Sequence, residues 1–247
     1  MLARSIYRMR AMLQELLATF LATITALLPI INPLYTAAVL PAMVVNLSPE
    51  ERERQLKRAC YYAAAILVTF LLAGALIMDF FAISIPGLRI AGGMIVAYIG
   101  FTMLFPTEGG TLTDAAQAEA LAKRDISFTP LAMPSLAGPG SIAVVVSLSS
   151  SMHSNTELPL WLGYLTVSLG IITVAWMSWL SLRASKRLYA FLGENGISAV
   201  SRVMGFLLIC IGVQFFINGV RDLLHDPHFM PQRVAVSLSA NPGEGKP

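Results

Sequence analysis

Charged residues divide this chain into apolar blocks. Reading the distance from one charge to the next gives six long charge-free intervals: Leu16 to Pro49, Ala59 to Met78, Ile90 to Thr107, Ile126 to Thr156, Leu158 to Leu182 and Val203 to Val220. Each is apolar enough to be a candidate membrane helix. A helix rises about 1.5 Å per residue and needs roughly 20 residues to cross about 30 Å of hydrocarbon, so the shortest intervals must borrow flanking residues. The first and fourth are too long for one straight crossing.

Both long intervals contain helix-stopping clusters, Pro29-Ile30-Ile31-Asn32-Pro33 and Pro134-Ser135-Leu136-Ala137-Gly138-Pro139-Gly140. Residues spent on an unwound segment add little rise, so the excess length predicts discontinuous helices. In hydrocarbon, a freed backbone group persists only where protein or a polar cavity receives it, and paired breaks of this kind point to a transporter's binding site. The bland reading is a proline kink tolerated in a packed bundle. Tips of re-entrant hairpins are a third reading, which changes the span count but not the site.

The order of spans, long and broken, ordinary, then short with a leading Arg, occurs twice. Pro33 and Pro139 lie 106 residues apart, and Arg89 and Arg202 lie 113 apart. The third elements share Arg-x-x-Gly, as Arg89-Ile90-Ala91-Gly92 and Arg202-Val203-Met204-Gly205, followed by apolar runs with Gly100 and Gly212 that allow close helix contact. An odd number of spans per copy makes the second copy enter from the opposite face. The expected fold is therefore all-α: a polytopic bundle of six transmembrane helices built as a 3+3 inverted repeat, with the first and fourth helices discontinuous. Residues 1–105 form the first repeat with an N-terminal extension, 106–125 a cytoplasmic linker, 126–225 the second repeat and 226–247 a flexible tail.

Composition agrees: of 247 residues, 56% are hydrophobic and only 13% charged, unlike a soluble domain. The net charge of +3 belongs to membrane flanks, and no basic, aromatic-studded surface suggests nucleic acid. Arg4, Arg8 and Arg10 before an apolar run resemble a signal peptide, but the run continues past any cleavage point, which favours a retained helix. One face collects Arg52, Arg54, Lys57, Arg58, Lys123, Arg124, Arg183, Lys186, Arg187 and Arg202; the other has Arg4, Arg8, Arg10, Arg89, Arg221 and Arg233. The positive-inside rule makes the first face cytoplasmic and both termini periplasmic, although the basic N-terminus argues the other way.

Asn32-Pro33 is a helix-restart signal, Asn at the N-cap and Pro at the first helical position, and Gly138-Pro139 can act likewise. The restarts should direct the N–H groups of Leu34, Tyr35 and Thr36, and of Gly140, Ser141 and Ile142, at the gap, where they attract an anion. The carbonyls around Leu27 to Pro29 and Leu131 to Met133 suit an ammonium or sodium ion. Thr25, Tyr35, Thr36, Ser135 and Ser141 supply hydroxyls, while Ala137, Gly138 and Gly140 leave little room for bulk. Each helix terminus contributes about 0.3–2 kcal/mol, so several together can hold a small zwitterion without side-chain charge. The expected substrate site is Asn32, Pro33, Tyr35, Thr36, Gly138, Pro139, Gly140 and Ser141.

Arg89 and Arg202 open the third and sixth spans, where a cation opposes the helix dipole. One reading is an interfacial anchor and the other a gate, paired with a carboxylate such as Asp79 or Glu194. Gln214 and Asn218, four apart, are expected to hydrogen-bond across helices. Glu50-Glu51-Arg52-Glu53-Arg54 after Ser48-Pro49 reads as a capped, solvated helix start. Cys60 and Cys210 lack metal-ligand spacing to other Cys or His, and no cofactor is implied.

Leu28-Pro29-Ile30-Ile31-Asn32-Pro33-Leu34, Ile83-Ser84-Ile85-Pro86-Gly87-Leu88-Arg89-Ile90-Ala91-Gly92-Gly93, Pro130-Leu131-Ala132-Met133-Pro134, Ala137-Gly138-Pro139-Gly140 and Ser201-Arg202-Val203-Met204-Gly205-Phe206 together resemble the MarC family of bacterial inner-membrane proteins. Its relatives include SnatA-type neutral amino acid transporters. The resemblance covers Leu16 to Asp222 and implies a six-helix inner-membrane protein. For the SnatA-like branch it implies transport of small neutral amino acids such as alanine, glycine or serine.

A membrane-embedded enzyme fits poorly, because the spans hold no paired Asp and the histidines, His153, His225 and His228, fall in expected loops or tail. A channel or an exporter of other small or hydrophobic compounds stays open as an alternative. A coupling proton would need Glu15 or Asp79 near a span end, whereas sodium could use freed carbonyls, and the residues do not choose between them. The direction of transport and a homo-oligomeric state are likewise left open.

Overall fold

The computed structural model describes residues 2–45, 47–105, 125–155 and 159–225. The expected linker up to residue 124 and the tail from 226 lie outside them. Among the described residues all regular structure is helical. In chain order the helices are α1 (Leu2–Ile31), α2 (Pro33–Met43), α3 (Pro49–Phe80), α4 (Ile85–Leu104), the wide-coiled α5 (Ser127–Leu136), α6 (Pro139–Asn155), α7 (Leu160–Arg183) and α8 (Ser185–His225).

Local sequence explains the boundaries. Ser48 caps α3 through Glu51 N–H at 3.2 Å, and Ser84 caps α4 through Gly87 N–H at 3.2 Å, each followed by Pro in the first turn. Within α5, Thr129 and Met133 are extended because each precedes a proline, and i to i−5 bonds such as Ala137 N–H to Ala132 O at 2.8 Å hold the wide coil. α5 and α6 meet at a 60° bend. In α8, Gly193 takes φ 61°, where a side chain is disfavoured, and breaks the helix between its first two turns and the apolar stretch Asn195–His225.

Among the described residues, five helical stretches are long and apolar enough to cross a membrane, or six if the bent α5–α6 pair is one span. Two of them run well past the charge-free intervals: α3 begins at Pro49 rather than Ala59, and the last stretch runs Asn195–His225 rather than Val203–Val220. Charged residues at a span's ends continue the helix into the headgroup zone, so counting between charges understates its length.

The main core gathers Leu27, Leu40, Leu67, Leu131, Leu136 and Ile171, drawn from α1, α2, α3, α5 and α7. α3 packs on α5, α6 and α7, while α7 packs on α1, α2 and α3. A smaller cluster of Val96, Met103 and Leu208 lies between α4 and α8. These two run antiparallel with backbones touching: a Cβ on Gly100 would fall 2.6 Å from Gly205 O, and one on Gly205 would fall 2.7 Å from Gly100 O.

At one end of the bundle a basic collar ties the halves together. Arg52 donates to Leu182 O at 3.5 Å and to Ser185 Oγ, Glu53 approaches Arg183 at 3.9 Å, and Trp179 lies between Lys57 and Arg183. Gln55 Oε1 accepts from Ile126 N–H at 3.0 Å, anchoring the entry to α5. α3 and α8 start at this collar and run away from it, so Arg89 at the start of α4 and Asp222 at the end of α8 mark the opposite end.

Candidate functional site at the helix breaks

At the first break only Asn32 leaves the helix, in the left-handed conformation with φ 45° and ψ 59°. Its Oδ1 accepts from Tyr35 N–H at 3.4 Å and its carbonyl from Thr36 N–H at 3.2 Å, while its own N–H reaches Leu28 O at 3.0 Å. Two of the three donors expected to face the gap here are thus satisfied by Asn32 itself. The interruption is one residue wide, and the stretch Met9–Pro41 qualifies as a single span. Pro29's carbonyl faces Pro33, which has no N–H to give it.

The second break is wider. Ile142 N–H closes on Gly138 O at 3.0 Å, and the N–H groups of Gly140 and Ser141 stand ahead of it in the first turn of α6. A Cβ on Gly138 would come within 2.6 Å of Pro134 O. The nearby hydroxyls bond to break carbonyls: Ser135 to Pro130 O at 2.8 Å, Ser141 to Leu136 O at 3.4 Å and Thr36 to Asn32 O at 3.3 Å. Thr25 is exposed and bonds within its own helix, so it lies away from this region.

The two breaks meet. A Cβ placed on Gly140 would sit 3.3 Å from Ile30 Cγ2 and 2.7 Å from Val96 Cγ2, so the restart of α6 lies against the end of α1 and the flank of α4. Asn32, Pro33, Thr36, Gly140 and Ser141 are buried, Tyr35 and Gly138 are half-buried, and Pro139 is exposed. Asn32 Nδ2 points at Met103 Sδ, 3.9 Å away on α4.

From Gly140 a tight seam follows α6 and α4 toward the Arg89 end. Gly140 faces Val96, a Cβ on Gly92 would be 2.6 Å from Ala143 Cβ, and Ser147 Oγ accepts from Arg89 Nε at 2.7 Å. Gly140, Ala143 and Ser147 share one helical face by their spacing of three and four. Arg89 also pairs with Asp222 of α8. Its ion-pair partner is thus Asp222 rather than Asp79, which is exposed; the side chain of Glu194 lies outside the described residues. An arginine side chain leans toward its helix's N-terminus, here the direction in which α8 ends, so Asp222 comes into reach.

Arg202 is exposed and does not repeat this arrangement. The glycine contacts give the reason: a shift of 112 residues carries Gly93 and Gly100 onto Gly205 and Gly212, one less than the shift relating the arginines. One residue of slip turns a helical side chain by about 100°. Gln214, also exposed, donates to Asn218 Oδ1 at 3.0 Å along its own helix, not across to a neighbour, because Gly205, Gly212 and Gly219 occupy the face packed on α4. Glu15 is exposed as well. The sequence reading missed Ser147 and Asp222; the small-residue face Gly140, Ala143, Ser147 is the signal that would have found the first.

The chain matches the family described as MarC family integral membrane protein over residues 17–224. It belongs to the MarC family. Relatives named UPF0056 inner membrane protein MarC include that of Citrobacter koseri, 43% identical over 210 residues covering 83% of this chain and 95% of the relative. That of Escherichia coli O1:K1 is 44% identical with the same coverage, and that of Salmonella paratyphi B 43%. No solved structure matches. For this MarC family member, the match takes in both breaks, the α4–α6 seam and Asp222.

Proposed function

We propose that this MarC family protein is a secondary transporter of small neutral amino acids, alanine, glycine or serine, in the bacterial inner membrane. The relatives' names supply the location, and the meeting of the two breaks at Gly140 and Ile30 is the observation that carries the reading. Asn32, Pro33, Tyr35, Thr36, Gly138, Pro139, Gly140 and Ser141 bind the solute. The N–H groups of Gly140 and Ser141 receive its carboxylate, and unpaired carbonyls such as Pro29 O receive its ammonium. Glycine and alanine at residues 137, 138 and 140 keep the space small.

The architecture behind this reading is a 3+3 inverted repeat with discontinuous first and fourth helices. Supporting it, the shift of 112 exchanges the Gly93–Gly212 and Gly100–Gly205 contacts, as an in-plane two-fold requires. Packing partners exchange too: α4 on α6 answers α8 on α2. On this reading the collar around Arg52 and Arg183 is the cytoplasmic end and both termini lie in the periplasm. Sodium held by break carbonyls or a proton is the coupling ion, and alternating access is the transport mode.

Counterflow in liposomes with labelled alanine, glycine and serine tests the proposal. Exchange of at least one, competed by the unlabelled solute, is expected. If none exchanges while a dye or drug crosses, the protein is an exporter of other compounds.

A further inference from the structure

The Arg89 side chain joins α4 to both α6 and α8, donating to Ser147 Oγ at 2.7 Å and pairing with Asp222. We propose that these three side chains form a gate at the end of the α4–α6 seam, which must open for a solute to pass between the breaks and that face of the membrane. The inference rests on the transport reading and adds to it the moving part on one side. Ser147 lies seven residues beyond Gly140, about 10 Å along α6, so the group stands directly between the breaks and the bundle's end. Small residues line the intervening seam, and Gly92 against Ala143 leaves no width for a solute while it is shut.

The ion pair suits a gate better than a structural strut. α4 and α8 are already joined by backbone contact along Gly93, Gly100, Gly205, Gly212 and Gly219, so their association does not depend on it. Arg89 is 23% exposed and Asp222 37%, a depth at which ion pairs hold loosely enough to break and reform. The setting also accounts for a cation at the start of α4. The antiparallel α8 ends beside it, so Arg89 meets the negative end of a neighbour's dipole.

The test uses the full chain with Cys60→Ala and Cys210→Ala, which removes both native thiols, and Ser147→Cys as a reporter in oriented proteoliposomes; the cysteine sulfur keeps a weak acceptor facing Arg89 Nε and leaves the Arg89–Asp222 pair to hold the gate shut. A membrane-impermeant thiol reagent is applied from the Arg89 face. Labelling should be slow in this parent, roughly fivefold faster after Asp222→Asn or Arg89→Gln, and slow again in the charge-reversed Arg89→Asp/Asp222→Arg pair. Equal labelling in the parent and both neutral variants overturns the gate, as does a reversed pair that labels like the neutral ones. The two neutral variants approach the pair from opposite partners, so misfolding of one leaves the other to decide. Labelling needs no transported solute. The expected labelling pattern without amino acid exchange would therefore remove the substrate reading and retain the gate.

Discussion

A methyl group on Gly93 would lie 2.5 Å from the carbonyl oxygen of Gly212, and one on Gly212 would lie 2.5 Å from the carbonyl of Gly93. The two glycines face each other across α4 and α8 with main chain against main chain, so neither helix can yield by turning a side chain aside. Gly93→Ala and Gly212→Ala should each force the helices apart and cost about 1–3 kcal/mol. Thermal denaturation in detergent, followed by loss of the monodisperse fraction, should show both variants weakened. The double variant should fall short of the sum of the singles, because the first separation already makes room for the second methyl.

Gly193 offers the contrasting case. Nothing lies within 4 Å of a Cβ built there, yet its φ of 61° is costly for any residue with a side chain. Gly193→Ala should therefore destabilise by about 1–3 kcal/mol through backbone conformation alone, and Gly193→Asn by a similar amount, because a ψ of −178° lies outside the left-handed helical region that asparagine tolerates. The same denaturation assay should rank glycine first, with asparagine and alanine together below it.

Asn32 combines a left-handed backbone with a side-chain cap on Tyr35 N–H. Asn32→Gly keeps the conformation and loses the cap; Asn32→Leu loses both and brings an apolar chain to the breaks. The leucine variant should insert but cost about 1–2 kcal/mol, and on the proposed function it should abolish amino acid counterflow. The glycine variant should cost a few tenths of that and retain measurable exchange. Full counterflow in Asn32→Leu would remove this residue from the site.

What could be read from the chain was local. Ser48 and Asn32 cap the helices that their Pro-containing contexts predict, and Gly100, Gly205 and Gly212 lie at the close helix contact expected of them. What could not be read depended on rotation and reach. Arg89 and Arg202 look alike in sequence, but the one-residue difference between the arginine and glycine registers turns only Arg89 toward α6. Asp222 sits 133 residues from its partner, at the end of a helix whose packed face is set by glycines rather than by any charge pattern. The narrowness of the first break was hidden for a related reason. Asn at that position supplies its own acceptors and lets the ladder run on, a result decided by backbone torsion rather than residue type.

Gln55 is 4% exposed and its Oε1 accepts the Ile126 N–H just before α5. Removing that acceptor leaves a buried main-chain donor without it, at a cost of about 1–3 kcal/mol. Gln55→Leu should loosen the entry to α5, seen as faster hydrogen exchange at Ile126 and Ser127 and a lower denaturation midpoint. Gln55→Glu keeps an oxygen in place and should protect those amides better than leucine does, which separates the acceptor's role from side-chain volume.

Asp125 adds a pH-dependent contact at the same entry. Its carboxylate accepts from Ser127 Oγ at 2.5 Å and Ser127 N–H at 2.9 Å, and Arg58 lies 3.9 Å away. The Ser127 hydroxyl and N–H bonds, and to a smaller degree the nearby arginines, hold this carboxyl below its ordinary value. A group depressed in the folded state contributes stability above its unfolded pKa and loses it as pH falls through the folded one. Protection of Ser127 against exchange should hold at neutral pH and decline on acidification below the usual carboxylate range. Because the side chain is 58% exposed, salt should weaken the arginine part while the two short hydrogen bonds persist. Asp125→Asn retains one acceptor oxygen without a charge to titrate. It should flatten the acid dependence while keeping part of the protection, and an unchanged acid profile in that variant would assign the dependence to a different group.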